Sequence, residues 1–237
     1  MSTPIHFIRW AKRTLLRISV HRIIPAKIFT KIGYTAYLSK WIRKNRPAFS
    51  TFPYNGFDGN NRYKLYNHLL ASEQLNDAID YLEFGVAAGK SFKYWESKID
   101  HSDARFYGFD TFTGLPEDWG HFKKGDMSNN NAPPEIDGKR HTWYQGLFQD
   151  TLPRFLTKYS STRRKVIHLD ADLFSSTLFV LTSLSPYIKS GDIIMFDEFN
   201  VPVHEFKAFK IWVDSFYIDY EVLGEVNNYY QTAIKIK

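Results

Sequence analysis

Residues 81–91 read Tyr81-Leu-Glu-Phe-Gly-Val-Ala-Ala-Gly-Lys-Ser91, an apolar run that reaches an acid, passes two glycines four residues apart and then turns helical. A strand must stop here and turn tightly into a helix, because glycine permits backbone conformations and close approaches that a Cβ forbids. Free N–H groups at the helix start attract negative ligand groups, and Glu83 is placed to accept hydrogen bonds from hydroxyl or amino groups. The turn is a nucleotide-sized socket, and the rest of the chain supplies its other walls.

Working outward, strand-like runs at Asp80–Gly85, Arg105–Asp110, His141–Gly146, Lys165–Asp170 and Asp192–Asp197 alternate with helical patterns, and strands near Tyr220–Val226 and Tyr230–Ile236 close the chain. Tyr63, Leu65, Tyr66, Leu69 and Leu70 suggest a helix before the first strand. Further helices are expected over Ser91–Ile99, from about Asp150 with Pro153 in its first turn, over Ser176–Ile188 and over Val203–Phe216. This pattern predicts a doubly wound α/β fold with a mostly parallel, seven-stranded sheet, whose ligands bind beyond the carboxyl ends of the strands. Residues 111–140 form a long loop beside the socket and are expected to act as a lid.

The 237 residues, 43% of them hydrophobic, suit one substantial core. The formal charge of +6 is divided unevenly: residues 1–46 hold eleven Lys/Arg and no acid, leaving 20 basic against 25 acidic residues in the remainder. Three parts are expected: a basic N-terminal extension over 1–46, a linker rich in turn formers over 47–60, and a catalytic domain over 61–237. The acidic body argues against a nucleic-acid partner. The absence of cysteine excludes disulfides and thiolate metal sites.

Residues 5–24 place apolar side chains on a helical period with basic ones interleaved, and Pro25 is expected to end that helix. Arg9, Lys12, Arg13 and Arg17 interrupt any signal-peptide core, and no apolar run reaches the roughly 18 residues of a spanning helix. The expected location is cytoplasmic, with the extension lying on a membrane surface or a partner, or else packing on its own domain or on a second copy of the chain in a homo-oligomer.

Acids end several strands on one rim. Asp110 lies at the distance beyond the glycine turn that suits a ribose diol. Asp170-Ala-Asp172 and Asp197-Glu198 end the fourth and fifth strands, and neighbouring strands lie only about 4.8 Å apart. Four crowded carboxylates repel one another unless a positive group sits among them, and a hard divalent cation such as Mg²⁺, with oxygen ligands at about 2.0–2.1 Å, would relieve them. The alternative is that one or two of them, Asp172 foremost, cap the following helices.

Five ordered motifs, Glu83–Gly89, Gly108-Phe-Asp-Thr-Phe-Thr-Gly-Leu-Pro-Glu117, Gly146-Leu-Phe-Gln-Asp-Thr-Leu-Pro153, Leu169-Asp-Ala-Asp-Leu-Phe-Ser-Ser-Thr177 and Phe196-Asp-Glu-Phe199, resemble those of class I S-adenosylmethionine-dependent methyltransferases. The similarity spans about residues 60–237 and is strongest to the macrocin O-methyltransferase (TylF) family, which methylates sugar hydroxyls with the help of Mg²⁺. The resemblance implies that Glu83, Gly85 and Gly89 form the methionine pocket, that Asp110 holds the ribose, and that Gln145, Gly146, Leu147 and Phe148 border the adenine. Val86, Ala87, Ser91, Thr111 and Asp170 adjoin this cofactor set. Asp172, Asp197 and Glu198 match the family's metal-binding acids, with Asp170 beside them. Two departures stand out: Ala87 occupies the place of the usual middle glycine, and Asp197-Glu198 replaces the usual pair of aspartates.

Asp172 is the candidate base for a small-molecule or glycan acceptor hydroxyl, and His204 is the alternative base or substrate contact. Trp119, Phe122, Trp143 and Tyr144 lie in or beside the lid, where rings can stack on a sugar face; for Trp143 core packing is favoured. Asn129–Asn131 are expected to form a turn. Two other functions fit the same socket: a nicotinamide-dependent dehydrogenase, which would lack the metal cluster, and a non-catalytic membrane-peripheral adaptor.

Overall fold

The computed structural model describes residues 5–22 and 24–237. Residues 1–4 and 23 of the basic extension lie outside these. The extension forms two helices, α1 (Ile5–Arg17) and α2 (Ala26–Lys44). Pro25 stands at the N-cap of α2, so it opens a helix where one was expected to end. The signal for α2 is the spacing of Tyr34, Leu38, Trp41 and Ile42, which pack on the main core.

The chain continues through β1 (Phe49–Ser50), α3 (Asn61–Ser72), β2 (Ile79–Phe84), α4 (Lys90–Lys98), β3 (Arg105–Asp110), β4 (His141–Gln145), α5 (Phe148–Leu156), β5 (Arg164–Leu169), α6 (Phe174–Leu184), β6 (Ile193–Phe196), α7 (Glu205–Phe216), β7 (Tyr220–Val226) and β8 (Gln231–Ile236). Helix α5 begins two residues ahead of Asp150, with Leu147 as N-cap, which leaves Pro153 inside the helix.

The sheet has eight strands in the order β1-β7-β8-β6-β5-β2-β3-β4. The strand beyond the expected seven is β1, a two-residue edge in the 47–60 segment, parallel to β7. Glu225 fastens that segment by accepting hydrogen bonds from Ser50 Oγ (2.6 Å), Thr51 N (2.6 Å) and Phe52 N (2.8 Å). So short a strand carries no periodicity, and its existence depends on a partner 175 residues away.

Strands β2 to β6 are mutually parallel, and β8 runs antiparallel to both β6 and β7. Both faces of the sheet are covered: Leu82, Ile167, Ile194 and Phe196 contribute to one core, and Tyr81, Val166, Ile193 and Met195 to the other. That two-sided burial is why β6 reads as an unbroken apolar run. Strands β2 and β5 are neighbours although the chain proceeds from β2 to β3, so their carboxyl ends mark the point where strand order reverses. Ligands of such sheets bind in the crevice there.

Candidate active site

At that point the backbone is nearly in contact with itself. A Cβ on Gly85 would lie 1.8 Å from the carbonyl oxygen of Asp170, and Gly85 has φ +93°, so no other residue fits. Ala87 adopts φ +45°, the conformation the usual glycine at this place would take freely. Gly89, with φ +71°, is the N-cap of α4.

Asp110 binds this turn from the side. Its Oδ2 accepts hydrogen bonds from Val86 N (2.7 Å) and Ala87 N (2.8 Å), and its Oδ1 accepts one from Phe112 N (2.6 Å). Glu83 is fully buried beneath the turn, where it accepts from Ser91 Oγ (2.7 Å) and from the Tyr81 hydroxyl, which also meets His168 Nδ1 at 3.0 Å.

A cavity of about 290 Å³ opens above these strand ends. Of the predicted site residues, Gly85, Ala87, Asp110, Thr111, Leu147, Phe148, Asp170 and Asp172 line it. Glu83, Val86, Ser91, Asp197 and Glu198 are buried and are not part of its wall. Gly146 donates its N–H to the Asp110 carbonyl (2.9 Å), and Gln145 reaches the lid.

The strand-end acids do converge. One carboxylate oxygen from each of Asp170, Asp172 and Glu198 lies within 4.8 Å of the others, and His168, Asp170 and Asp197 form a second group of the same size. Burial and the nearby Asp197 and Asp110 push the Asp172 carboxyl up to about 7. Burial and the neighbouring carboxylates also hold Asp170 and Glu198 well above the usual range. Asp172 has φ +56°, a left-handed conformation, and is one of the residues lining the cavity.

Two members of the cluster were not foreseen. Arg62, from α3, places Nη2 3.1 Å from Asp197 Oδ2. Burial works against that cation, but Asp197, Tyr66, Asp170 and Glu198 more than offset it, so its pKa is raised. Glu205, at the start of α7, is buried against the same acids and accepts a hydrogen bond from Glu198 N (2.9 Å). Sequence spacing gives no signal for either, because each enters from an element outside the strand ends.

Glu198 Oε2 and Glu205 Oε1 are buried without a hydrogen-bond partner. Orphaned, purely oxygen donors beside carboxyls of raised pKa fit a hard divalent cation. Asp170, Asp172 and Glu198 are the residues that would hold it. Asp197, already paired with Arg62 and within 3.3 Å of Gln231 Nε2, is the more committed of the acids.

The segment 111–140, expected to act as a lid, is a folded loop beside the cavity. Leu115 and Gly125 to Asp126 close a loop through Leu115 N to Asp126 O (2.9 Å) and Gly125 N to Leu115 O (2.9 Å), and Trp119 pairs with Phe122 across its tip. Their rings stack at 5.4 Å. Asn129 N and Asn131 N both donate to Phe112 O, so this Asn run forms a turn, and Gln145 Nε2 holds it by donating to Asn131 O (3.0 Å).

Leu115, Pro116, Glu117 and Met127 bring the lid onto the cavity. His204 meets the Trp119 ring edge-on at 6.3 Å; burial and Lys207 lower its pKa, and its Nδ1 has no partner. It is not part of the cavity wall. Trp143 and Tyr144 pack in the two cores, against Phe92 and Phe109 respectively.

With this geometry in place, comparison with known proteins is direct. Residues 82–199 match a family model described as a methyltransferase domain. Among solved structures, the fold is similar to apo CalS11, a TDP-rhamnose 3'-O-methyltransferase of calicheamicin biosynthesis, at 20% identity over 90% of this chain and 95% of that one, with a TM-score of 0.53. It is also similar to the O-methyltransferase NovP at 22% identity, over 66% of this chain and 71% of that one, with a TM-score of 0.52. A Mg-SAM structure of CmcI aligns at 17% identity over 84% of each chain, with a TM-score of 0.51. No curated protein matches in sequence. Over residues 82–199 the chain matches a methyltransferase domain, and its fold is the one shared by these O-methyltransferase structures.

Proposed function

We propose that the chain methylates a hydroxyl of a sugar or glycosylated small molecule, assisted by Mg²⁺ or another hard divalent cation, in the manner of the macrocin O-methyltransferase family. The observation that carries this reading is a single cavity with the glycine turn on one wall and the Asp170–Asp172 carboxyls on another. Five motifs in family order support it, as do the Mg-SAM structure of CmcI and the sugar substrate of CalS11.

In this reading Gly85, Ala87, Asp110, Thr111, Leu147 and Phe148 cradle the cofactor. The one lone pair left over from its three amide contacts, on Asp110 Oδ1, accepts from the ribose. The reaction is an in-line displacement in which an oxygen–carbon bond forms as the carbon–sulfur bond breaks and the thioether leaves with the electron pair. Holding donor and acceptor in line is therefore the chain's main task. Asp170, Asp172 and Glu198 would hold the cation, whose Lewis acidity would lower the pKa of the acceptor hydroxyl. Asp172, on the cavity wall, takes the proton. Trp119 and Phe122, with Phe122 partly exposed, offer a face for the acceptor ring.

Calorimetry on the full chain tests the cofactor: S-adenosylmethionine is expected to bind and NAD is not. Labelled methyl transfer to a panel of glycans, glycolipids and glycosylated metabolites tests the acceptor class, and transfer to none of them by chain that binds the cofactor would favour the adaptor. For the cation, Glu198→Gln is expected to weaken Mg²⁺ binding roughly 10–100-fold while leaving cofactor affinity close to wild type. Unchanged Mg²⁺ affinity would remove Glu198 from the ligand set.

A further inference from the structure

The N-terminal helical pair divides into an anchored part and a bare part. The carboxyl half of α2 belongs to the domain: Leu38 is buried, and the Trp41 ring lies 4.8 Å from Phe199 and 5.8 Å from Phe209 while its Nε1 donates to Tyr220 OH at 2.7 Å. The amino half is different, with Ile28, Phe29 and Ile32 57–60% exposed on one side. No residue of α1 is buried, and Phe7, Ile8, Trp10, Leu15 and Leu16 are 47–68% exposed.

Helix geometry separates the chemistry of α1 into two faces. Arg9, Arg13 and Arg17 recur every four residues and form one row; Phe7, Ile8, Ala11 and Leu15 occupy the opposite side, with Leu16 on the flank next to Arg9. Lys12 lies at the edge of the apolar side, where its stem can cover carbon while its charge reaches outward. Among the described residues no helix is long and apolar enough to cross a membrane. An apolar face of this size beside unopposed positive charge is the form of a helix that lies in a lipid interface.

We infer that α1 and the amino half of α2 are a docking surface for an anionic lipid bilayer. Charge selects the occupant. Seven Lys/Arg with no acid over residues 5–35 make this segment repel its own counterpart on a second copy, whereas a surface of anionic headgroups complements the basic row and the acyl boundary takes the apolar side chains. Leu38 and Trp41 then act as the joint between the bilayer-bound helices and the methyltransferase domain.

The test uses the full chain, since removing residues 1–46 would strip Leu38 and Trp41 from the core. Sedimentation with phosphatidylcholine vesicles containing phosphatidylserine is expected to carry the chain down, with pure phosphatidylcholine or raised salt leaving most of it in solution. Leu15→Ser/Leu16→Ser and Arg9→Glu/Arg13→Glu should each weaken binding about tenfold or more without altering circular dichroism or S-adenosylmethionine affinity. Failure of the wild-type chain to bind the phosphatidylserine vesicles, or equal binding by both variants, would overturn the inference. A concentration-dependent dimer that both variants dissolve, with no vesicle binding, would assign the surface to a second copy instead.

Discussion

Ala87 and Asp172 face the same cavity in left-handed backbone conformations that L-residues with a Cβ adopt at a cost. For Ala87 the cost is local, and Ala87→Gly is expected to stabilise the chain by about 0.5–1 kcal/mol in urea unfolding, the glycine's extra unfolded-state entropy being offset by relief at φ +45°. For Asp172 the consequence is a pH dependence. Its folded value of about 7 lies above the ordinary 3.8, so between those pH values the folded chain holds a proton that the unfolded chain has lost.

That contribution is fully present below the lower value and is lost as pH rises through about 7. His204, whose pKa is lowered, acts the other way, costing stability as pH falls below 6.5. The difference between wild type and Asp172→Asn isolates the first effect. With chelator present, the wild-type melting temperature is expected to fall more steeply than the variant's between pH 5 and 8. The sequence revealed these acids because each ends a strand; it could not show Arg62 or Glu205 among them, because helices α3 and α7 deliver both.

At the scale of elements, α2 and the lid show what packing adds. The helix was legible only as a basic stretch, yet its Tyr34–Ile42 stripe makes it part of the main core. Trp41→Ala is expected to cost about 2–4 kcal/mol in global unfolding, below the range for a fully buried Trp because the ring keeps some exposure. A change confined to the first 46 residues, with the melting temperature unmoved, would contradict this. The loop over 111–140 was read as a lid from its length and its place beside the socket. Its hairpin-like closure depends on Gly114, where a Cβ would lie 2.3 Å from Asp126 O, and Gln145 from the neighbouring strand holds the Asn turn beyond it.

For the whole molecule, the central fact is that a formal charge of +6 hides a basic extension and an acidic body, several of whose acids gather at one crevice. Ligands that bind only this assembled crevice must stabilise the fold by mass action. At a concentration of 100 Kd, S-adenosylmethionine is expected to add about 2.7 kcal/mol, and Mg²⁺ should raise the melting temperature more at pH 8 than at pH 6, because fewer of the carboxyls need to release protons first. Scanning calorimetry at the two pH values checks both.

The alternation of strands and helices, the glycine turn and the strand-end acids were determined by the sequence itself, since periodicity, glycine conformation and charge are local properties. Gly85 in particular was readable as a tight turn, although only the sheet reveals that the atom it must avoid is the Asp170 carbonyl oxygen. Tertiary structure alone decided that β1 joins the sheet, that Asp110 spends its carboxylate on the backbone of the glycine turn, and that Arg62 and Glu205 complete the acid cluster. β1, Asp110 and Arg62 meet partners far along the chain, and Glu205 meets Glu198 across the irregular turn between β6 and α7; no local pattern specifies which partner such a side chain will meet.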